Sequence, residues 1–349
     1  MLLYIHIPFC DSKCSYCAFN SYVDKFHLKQ KYMDALHTQL SAELQDLGKG
    51  SIKSVFIGGG TPSTVSPALF EKIFNTFLPY LQEEAEITSE ANPNSATNEW
   101  LEGMHKLGVN RVSFGVQSFN AEKLKLLNRA HSPLQAIEAV QNAKKAGIEN
   151  ISLDLIYATL GDTKELLEHD LDTAFSLPIN HISAYALTIE EGTVFENKPQ
   201  LSSEQLELTE WLFQEIEKNG LPQYEISNFG SYRSVHNIGY WEYEEYLGVG
   251  AGAVGCLHSQ RYYPQPEIEK YIEEPLKYRY EALSDADIKT EKIFLGLRST
   301  VGIDEKTFTQ EEKTKADLLV TEGKLEFKEG RYYNKEYLLS DEIALYLES

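Results

Sequence analysis

The sequence has little of what marks membrane-spanning, secreted and nucleic-acid-binding proteins. Its 349 residues contain no apolar run of the length, about 18 residues, that a transmembrane helix needs, and its start has neither a charged segment nor a small-residue cleavage site. Acidic residues outnumber basic ones 53 to 32, and the formal charge of −21 would repel phosphate backbones and anionic lipid headgroups. We therefore expect a cytoplasmic protein that neither inserts into a membrane nor binds nucleic acid.

Cysteine is also scarce, and its placement is uneven. Three of the four cysteines, Cys10, Cys14 and Cys17, fall within eight residues. In a reducing compartment this clustering indicates a metal site or redox chemistry rather than a disulfide framework. Three thiolates on one loop can surround an iron–sulfur cube and leave one iron open, whereas a structural zinc site or simple burial are the alternatives. The distant Cys256 is expected to be a small buried side chain.

The hydrophobic pattern predicts an α/β fold. Six short apolar runs alternate with helical segments up to about residue 190, which is typical of a parallel sheet with crossover helices. We predict a partial (β/α)6 barrel, and a doubly wound sheet is the alternative. In both folds the chemistry gathers at the carboxyl ends of the strands. The predicted strands are Leu2–Pro8, Ser54–Gly59, Glu86–Glu90, Arg111–Val116, Ile151–Tyr157 and His181–Leu187.

Three regions are expected along the chain. Residues 1–200 form the barrel, and residues 201–283, which have no sustained period, complete it. Residues 284–349 contain two helical segments and a hairpin-like stretch, so we predict a small C-terminal α+β unit of winged-helix type. The excess of acid argues against DNA binding by that unit.

Several motifs resemble those of a known family. The spacing Cys-x-x-x-Cys-x-x-Cys is similar to the cluster loop of the radical S-adenosylmethionine (radical SAM) enzymes. Tyr-Ile-His-Ile-Pro-Phe-Cys, Gly-Gly-Gly-Thr-Pro-Ser, Phe-Gly-Val-Gln-Ser-Phe and Asp-Leu-Ile-Tyr resemble, in order, the branch that contains oxygen-independent coproporphyrinogen oxidase and the HemW-type haem chaperones.

The resemblance implies a set of ligands. It makes Cys10, Cys14 and Cys17 the ligands of a 4Fe-4S cluster whose fourth iron is chelated by S-adenosylmethionine. The positions that match the family's S-adenosylmethionine contacts are Tyr4, Tyr16, Gly59, Gly60, Thr61, Glu90, Gln117, Arg129 and Asp154. Independently of the family, Asp154 interrupts an apolar strand, and a buried carboxylate needs a partner or a ligand.

Two departures separate the branches. The oxidase branch has another cysteine two positions after the third ligand, where this chain has Phe19, and it has a longer segment before the cluster. His-Asn-Ile-Gly-Tyr-Trp resembles the His-Asn-x-x-Tyr-Trp motif of the haem chaperones, in which the histidine is implicated as a haem ligand. Imidazole is a common axial ligand of haem iron, and aromatic rings offer flat faces to the macrocycle. The expected haem residues are His236, Asn237, Tyr240 and Trp241, with Arg233 and Arg261 as candidate partners of the propionates.

We therefore predict a haem chaperone that carries a 4Fe-4S cluster and S-adenosylmethionine and passes haem to acceptor haemoproteins, with proteins of the respiratory chain among the candidates. Whether it is also an enzyme stays open, and the alternative is an oxygen-independent coproporphyrinogen III oxidase.

Overall fold

The computed structural model describes residues 1–349, and its first half alternates strands with helices. All six predicted strands are confirmed: the third begins five residues earlier than predicted, and the other ends differ by at most two residues. The strands are β1 (Leu2–Ile7), β2 (Ile52–Gly59), β3 (Leu81–Ala91), β4 (Arg111–Gln117), β5 (Asn150–Tyr157) and β6 (His181–Ala186). The helices between them are α1 (Lys29–Leu44), α2 (Pro67–Phe77), α3 (Asn98–Leu107), α4 (Ala121–Leu126), α5 (Pro133–Lys145) and α6 (Lys164–Phe175).

These strands form a parallel sheet in which β1 to β6 lie side by side in chain order. A doubly wound sheet would reverse its strand order part-way, so that alternative is wrong. The helices follow the same succession, with α1 against α2, α2 against α3 and α3 against α5. The sheet keeps two edges, so the architecture is an incomplete barrel.

The strand β3 shows how the two faces of the sheet differ. Ile87 and Ala91 belong to the main apolar core. Glu86, Thr88 and Glu90 occupy the alternate positions, and side chains along a strand point to opposite faces in turn. The face away from Ile87 therefore carries a row of polar groups that reaches the carboxyl end of the strand.

The chain after β6 crosses from one edge of the sheet to the other. The elements are α7 (Leu206–Lys218), β7 (Asn228–Gly230), α8 (Val235–Trp241), β8 (Tyr246–Val249), β9 (Gly255–Leu257), β10 (Gln260–Pro264), α9 (Ile268–Glu273) and β11 (Tyr278–Ala282). β7 lies antiparallel to β6, whereas β8 runs parallel to β1 on the side away from β2. The helix α8, which carries the predicted haem motif, packs against β2. These strands are three to five residues long, too short for a visible period in the sequence.

The C-terminal segment has its own small sheet and core. Its elements are α10 (Asp285–Leu297), β12 (Ile303–Asp304), α11 (Gln310–Thr321), β13 (Leu325–Lys328), β14 (Arg331–Asn334) and α12 (Ser340–Glu348). The sheet order is β12-β14-β13, and a separate apolar cluster extends from Ile293 to Leu347. The predicted hairpin is β13 and β14. The division of the chain at residues 200 and 283 stays a prediction. None of the helices is both long and apolar enough to cross a bilayer.

Candidate functional site

A cavity of about 420 Å³ is lined by the three clustered cysteines together with residues from the carboxyl ends of β2 to β6, and we call it the thiol cavity. Cys10 is buried, and Cys14 and Cys17 are half-buried. Burial raises the pKa of the Cys10 thiol and that of the Cys17 thiol. Without a metal these thiols are therefore protonated at neutral pH, and metal binding would have to release their protons.

The donor set fits a cube better than a single ion. No three His, Cys, Asp or Glu side chains in the structure are gathered closely enough to hold one metal ion. The cysteine ligands of a 4Fe-4S cluster bind different irons, so they need to surround a cavity rather than meet at one point. Three thiols that line one cavity meet that requirement, whereas a structural zinc site needs four converging ligands.

Glycine brings bare backbone to one wall of the thiol cavity. Gly59 has a φ of +109°, and a Cβ there would lie 2.3 Å from the ring of His6. A Cβ on Gly60 would lie 2.8 Å from the carbonyl oxygen of Ile7. The backbone N–H of Gly59 instead donates to Glu90 Oε2 at 3.0 Å. The N–H of Gly60 likewise donates to the carbonyl oxygen of Ile7 at 2.8 Å. The glycines are therefore required by close packing, and they leave this wall without side chains.

A chain of hydrogen bonds connects two of the cysteines through three other side chains. Thr61 donates its hydroxyl to Cys10 Sγ at 3.4 Å and accepts from Asn92 Nδ2 at 3.1 Å. Arg129 donates to Asn92 Oδ1 at 2.7 Å and to Cys14 Sγ at 3.1 Å. The donors to both sulfurs therefore share one partner, Asn92.

Two carboxyl groups give the thiol cavity its charge preference. Burial, followed by the neighbouring Asp154, raises the pKa of Glu90 to about 7. Burial also raises the pKa of Asp154, against the hydrogen bonds that it accepts from Ser183 and from Ser113 at 3.1 Å. A cationic ligand would favour ionisation of both groups, so the cavity suits a ligand with positive charge. The sulfonium and amino groups of S-adenosylmethionine meet this condition.

The backbone at Gln117 is strained beside the same cavity. Gln117 has a φ of 68°, a conformation that non-glycine residues rarely adopt, and the register of β4 against β5 shifts at this point. Such strain concentrates at ligand sites, where the surrounding fold holds it in place.

A second cavity of about 860 Å³ lies next to the first and is rich in aromatic side chains; we call it the aromatic cavity. Its volume falls within the range of about 300–1,000 Å³ that is usual for small-molecule sites. Phe19 lines both cavities and joins them. The aromatic lining includes Tyr4, Phe56, Tyr240, Tyr243 and Tyr246.

His236 lines the aromatic cavity and has one nitrogen without a partner. Its Nδ1 lies 2.9 Å from Ser54 Oγ, whereas its Nε2 is buried and has no hydrogen bond. The rings of Phe56 and Tyr240 lie against the imidazole, with centroids at 5.3 and 4.8 Å. Burial lowers the pKa of His236 to about 3, so the ring is neutral near pH 7. Leaving a buried nitrogen unsatisfied is costly, which indicates a site that a ligand completes.

The helix α8 is held by a buried carboxylate from the sheet. Glu86 accepts hydrogen bonds from the backbone N–H groups of Val235 at 2.9 Å and His236 at 3.1 Å. It also accepts from the hydroxyls of Tyr232 at 3.0 Å and Ser234 at 3.3 Å. The N–H groups at the start of a helix have no acceptor within the helix, and here Glu86 accepts from two of them. Glu86 therefore positions His236 beside the aromatic cavity.

Three Lys and Arg side chains line the aromatic cavity, and carboxylates neutralise two of them. Arg261 pairs with Glu291 at 2.6 Å. Arg298 pairs with Asp341 at 2.5 Å. Lys292 forms no ion pair and lies over the ring of Tyr243, 5.2 Å from its centroid. Lys292 is therefore the one of the three whose charge is free for an anionic group.

Comparison with known proteins gives this geometry a family. The model of the radical SAM superfamily matches residues 4–174. The heme chaperone HemW of Bacillus subtilis is 37% identical over 325 residues, which cover 88% of this chain and 86% of that protein. The chain belongs to the HemW family of radical SAM proteins. The Escherichia coli HemW is 37% identical over 72% of this chain and 69% of its own length.

A solved structure supports the fold over the whole chain. The coproporphyrinogen III oxidase HemN of E. coli superposes with a TM-score of 0.82, and the match covers 100% of this chain and 90% of that one. Its sequence identity is 21%, so the likeness concerns the architecture. The HemW family membership and the HemN-like fold agree with the open parallel sheet.

The structure brings most of the residues expected from the HemW resemblance into two groups. Tyr4 is apart from the other predicted S-adenosylmethionine residues: it lines the aromatic cavity, and its hydroxyl lies 2.9 Å from His6 Nδ1. Asn237 and Tyr240 line that cavity with His236, whereas Trp241 lines a neighbouring groove. Around the cysteines, the thiol cavity collects Tyr16, Gly59, Gly60, Thr61, Glu90, Gln117, Arg129 and Asp154.

Two side chains lie elsewhere than their sequence context indicated. Arg233 does not line the aromatic cavity: it donates to Thr300 Oγ1 at 3.4 Å and lies over Tyr224. Cys256 lies on β9 in the wall of the aromatic cavity and is half-buried, because the short strand β9 turns this position toward the cavity. Neither position could be deduced from local pattern, since Arg233 contacts Thr300, 67 residues further along the chain, and the cavity beside Cys256 is lined by residues from Tyr4 to Arg298.

Sequence reasoning missed Ser54, Glu86 and Asn92. The sequence did contain an indication of Glu86 and Asn92. Polar residues occupy every second position along β3 and just after it, at Glu86, Thr88, Glu90 and Asn92. A run of polar residues at every second position of a buried strand indicates an interior polar face. Ser54 has no comparable signal, because its partner His236 is 182 residues away.

Proposed function

We propose that this chain is a cytoplasmic haem chaperone, which binds haem in the aromatic cavity and passes it to acceptor haemoproteins such as those of the respiratory chain. In this proposal the thiol cavity carries a 4Fe-4S cluster and exchangeable S-adenosylmethionine. The relatives named heme chaperone HemW support it. The single observation that carries it is the buried Nε2 of His236, which has no partner in a cavity of suitable size.

Ser54 gives His236 the tautomer that an iron ligand needs. If Nδ1–H donates to Ser54 Oγ, the lone pair of Nε2 is free to coordinate iron. The low pKa of about 3 keeps that lone pair unprotonated throughout the neutral range. Asn237, Tyr240 and Trp241 belong to the same short helix, so the haem residues would move together with the ligand.

Lys292 is the group best placed to meet the carboxylates of haem. A porphyrin with two propionates brings negative charge to the mouth of a cavity in a chain of net charge −21. Arg261 and Arg298 are already neutralised, whereas Lys292 is unpaired and also lines the neighbouring groove. Charge-assisted hydrogen bonds to carboxylates favour such a lysine.

In the thiol cavity, Cys10, Cys14 and Cys17 would hold the cluster, and the wall formed by Gly59 and Gly60, which has no side chains, would face the methionine end of S-adenosylmethionine. A reduced cluster bound there would be able to supply an electron to the sulfonium, which is the chemistry of the radical SAM superfamily. The residues of this chain bind the two groups, and Glu90 and Asp154 offset the positive charge of the ligand.

Coproporphyrinogen III oxidation is the second candidate, because the fold is that of HemN. The residue against it is Phe19, which stands where the oxidase branch has a further cysteine and which lines both cavities.

The test is haem titration of the anaerobically reconstituted protein, followed by its Soret absorption. His236→Ala should weaken haem binding at least tenfold. His258→Ala is the matched control, since His258 lines the same cavity but is exposed and pairs with Glu245 at 2.8 Å. Equal haem binding by wild type and His236→Ala would refute the proposed ligand. Multiple turnovers of coproporphyrinogen to protoporphyrinogen would instead establish the oxidase.

A further inference from the structure

We infer that Asn92 is a positioning residue of the cluster site, whose amide holds Thr61 and Arg129 in place as hydrogen-bond donors to Cys10 and Cys14. This inference rests on the cluster of the proposed function. It goes beyond it by naming the group that controls the surroundings of two cluster ligands at once.

The direction of every bond in this network follows from the chemistry of its members. A guanidinium group only donates, so the amide oxygen of Asn92 has to face Arg129, 2.7 Å away. The amide nitrogen then faces Thr61 Oγ1 at 3.1 Å and donates to it. Since that oxygen accepts from Asn92, the single hydroxyl proton of Thr61 is free for Cys10 Sγ at 3.4 Å. On the other side of Asn92, Arg129 Nη1 donates to Cys14 Sγ at 3.1 Å.

Asn92 is itself well placed to act as a fixed point. Its backbone N–H donates to Ser63 Oγ at 3.0 Å, and Ser63 lies 2.7 Å from Ser95 Oγ. Asn92 directly follows the end of β3, two positions after Glu90, so it shares the polar face of that strand. The amide therefore spans from the loop after β2, with Thr61, to the segment after α4, with Arg129.

The hydrogen bonds from Thr61 to Cys10 and from Arg129 to Cys14 should affect the reduction potential of the cluster. Hydrogen bonds to coordinating sulfur, and a nearby positive charge, stabilise the reduced cluster, which is the more negative state. Without the Asn92 amide, the Thr61 hydroxyl loses its donor, and Arg129 Nη2 keeps only the carbonyl oxygen of Gly115 as a partner. Both donors to sulfur are then held less firmly, and both sulfurs lose part of this stabilisation. We therefore expect a more negative potential in Asn92→Ala. A side chain with a purely structural role would leave the potential of an intact cluster unchanged.

The experiment is an anaerobic potentiometric titration of the reconstituted full-length protein, without added S-adenosylmethionine, followed by electron paramagnetic resonance of the reduced cluster. Asn92→Ala and Thr61→Val should both move the midpoint to more negative values. The double variant should shift less than the sum of the two, because Thr61→Val removes the hydrogen bond to Cys10 that Asn92→Ala weakens. Asn98→Ala is the control, since the exposed amide of Asn98 contacts Glu102 at 2.7 Å and should leave the midpoint unchanged.

An Asn92→Ala protein with a full cluster and the wild-type midpoint would overturn the inference. If that variant takes up no cluster, Thr61→Val decides, and an unchanged midpoint there overturns the inference equally. Failure of the cluster assignment on which the inference rests looks different, because the wild-type chain itself would then take up no four-iron cluster. Failure of haem binding by the wild type would leave the measured midpoints unaffected.

Discussion

The anchoring of α8 by Glu86 leads to a prediction whose size can be worked from the structure. Each oxygen of the Glu86 carboxylate accepts one backbone N–H, from Val235 or His236, and one hydroxyl, from Tyr232 or Ser234. In Glu86→Gln one oxygen becomes an NH2 group. Whichever way the amide lies, its NH2 faces one of the two backbone N–H groups. The hydroxyl on that side can turn and accept, whereas the peptide N–H cannot.

One buried donor is therefore left without a partner, and this costs about 1–3 kcal/mol. At about 1.4 kcal/mol for each factor of ten, local opening of the start of α8 should become about 5- to 150-fold more frequent. The assay is hydrogen–deuterium exchange of the peptide that contains residues 232–242, followed by mass spectrometry. Glu84→Gln, on the exposed part of the same strand, is the control and should leave this exchange unchanged. Wild-type exchange rates in Glu86→Gln would refute the reasoning.

Three further predictions concern the two cavities. One cube corresponds to about four irons per chain, and iron analysis of reconstituted Cys14→Ser should give a value well below that. A single bound zinc in the wild type would contradict the cluster assignment. The affinity for S-adenosylmethionine, measured by calorimetry, should increase up to about pH 7 and level off above it. The reason is that Glu90, with a pKa raised to about 7, has to ionise to attract the cation. Glu90→Gln should show no such rise. Lys292→Glu should weaken binding of haem by tenfold or more in a Soret titration but affect haem dimethyl ester much less, and an equal loss for both ligands would contradict a role in carboxylate binding.

The parts of the fold that were predictable are those coded by neighbours in the chain. Each of β1 to β6 is a short run of apolar residues between helical segments, and periodicity reports such elements directly. The three cysteines are also local, since their spacing on one loop is itself the signal. By contrast, β8 to β11 are short and pair with distant or edge strands, so their sequence carried no period that could be recognised.

Glu90 and Asp154 show how far a linear pattern extends into the site. Asp154 interrupts an apolar strand, and this pattern alone predicts an interior carboxyl group. Glu90 stands near the end of its strand, where an acid is usually solvated, so only the family resemblance placed it in the site. Their mutual effect, which with burial raises the pKa of Glu90 to about 7, depends on β3 and β5 facing the same interior across β4. The proximity of the two carboxyl groups follows from the order of the strands in the sheet, and neither sequence motif contains it.

By itself, then, the sequence determined the alternation of strands and helices, the thiol loop and the set of residues that resemble the radical SAM ligands, because these depend on spacing along the chain. Tertiary structure decided that Tyr4 faces the aromatic cavity, that Glu86 holds α8, that Ser54 meets His236 and that Asn92 joins two cysteine ligands. The physical reason is that hydrogen bonds and burial act between groups that are close in space. The hydrogen-bond partners of Ser54, Glu86 and Asn92 are 29 or more positions away in the sequence.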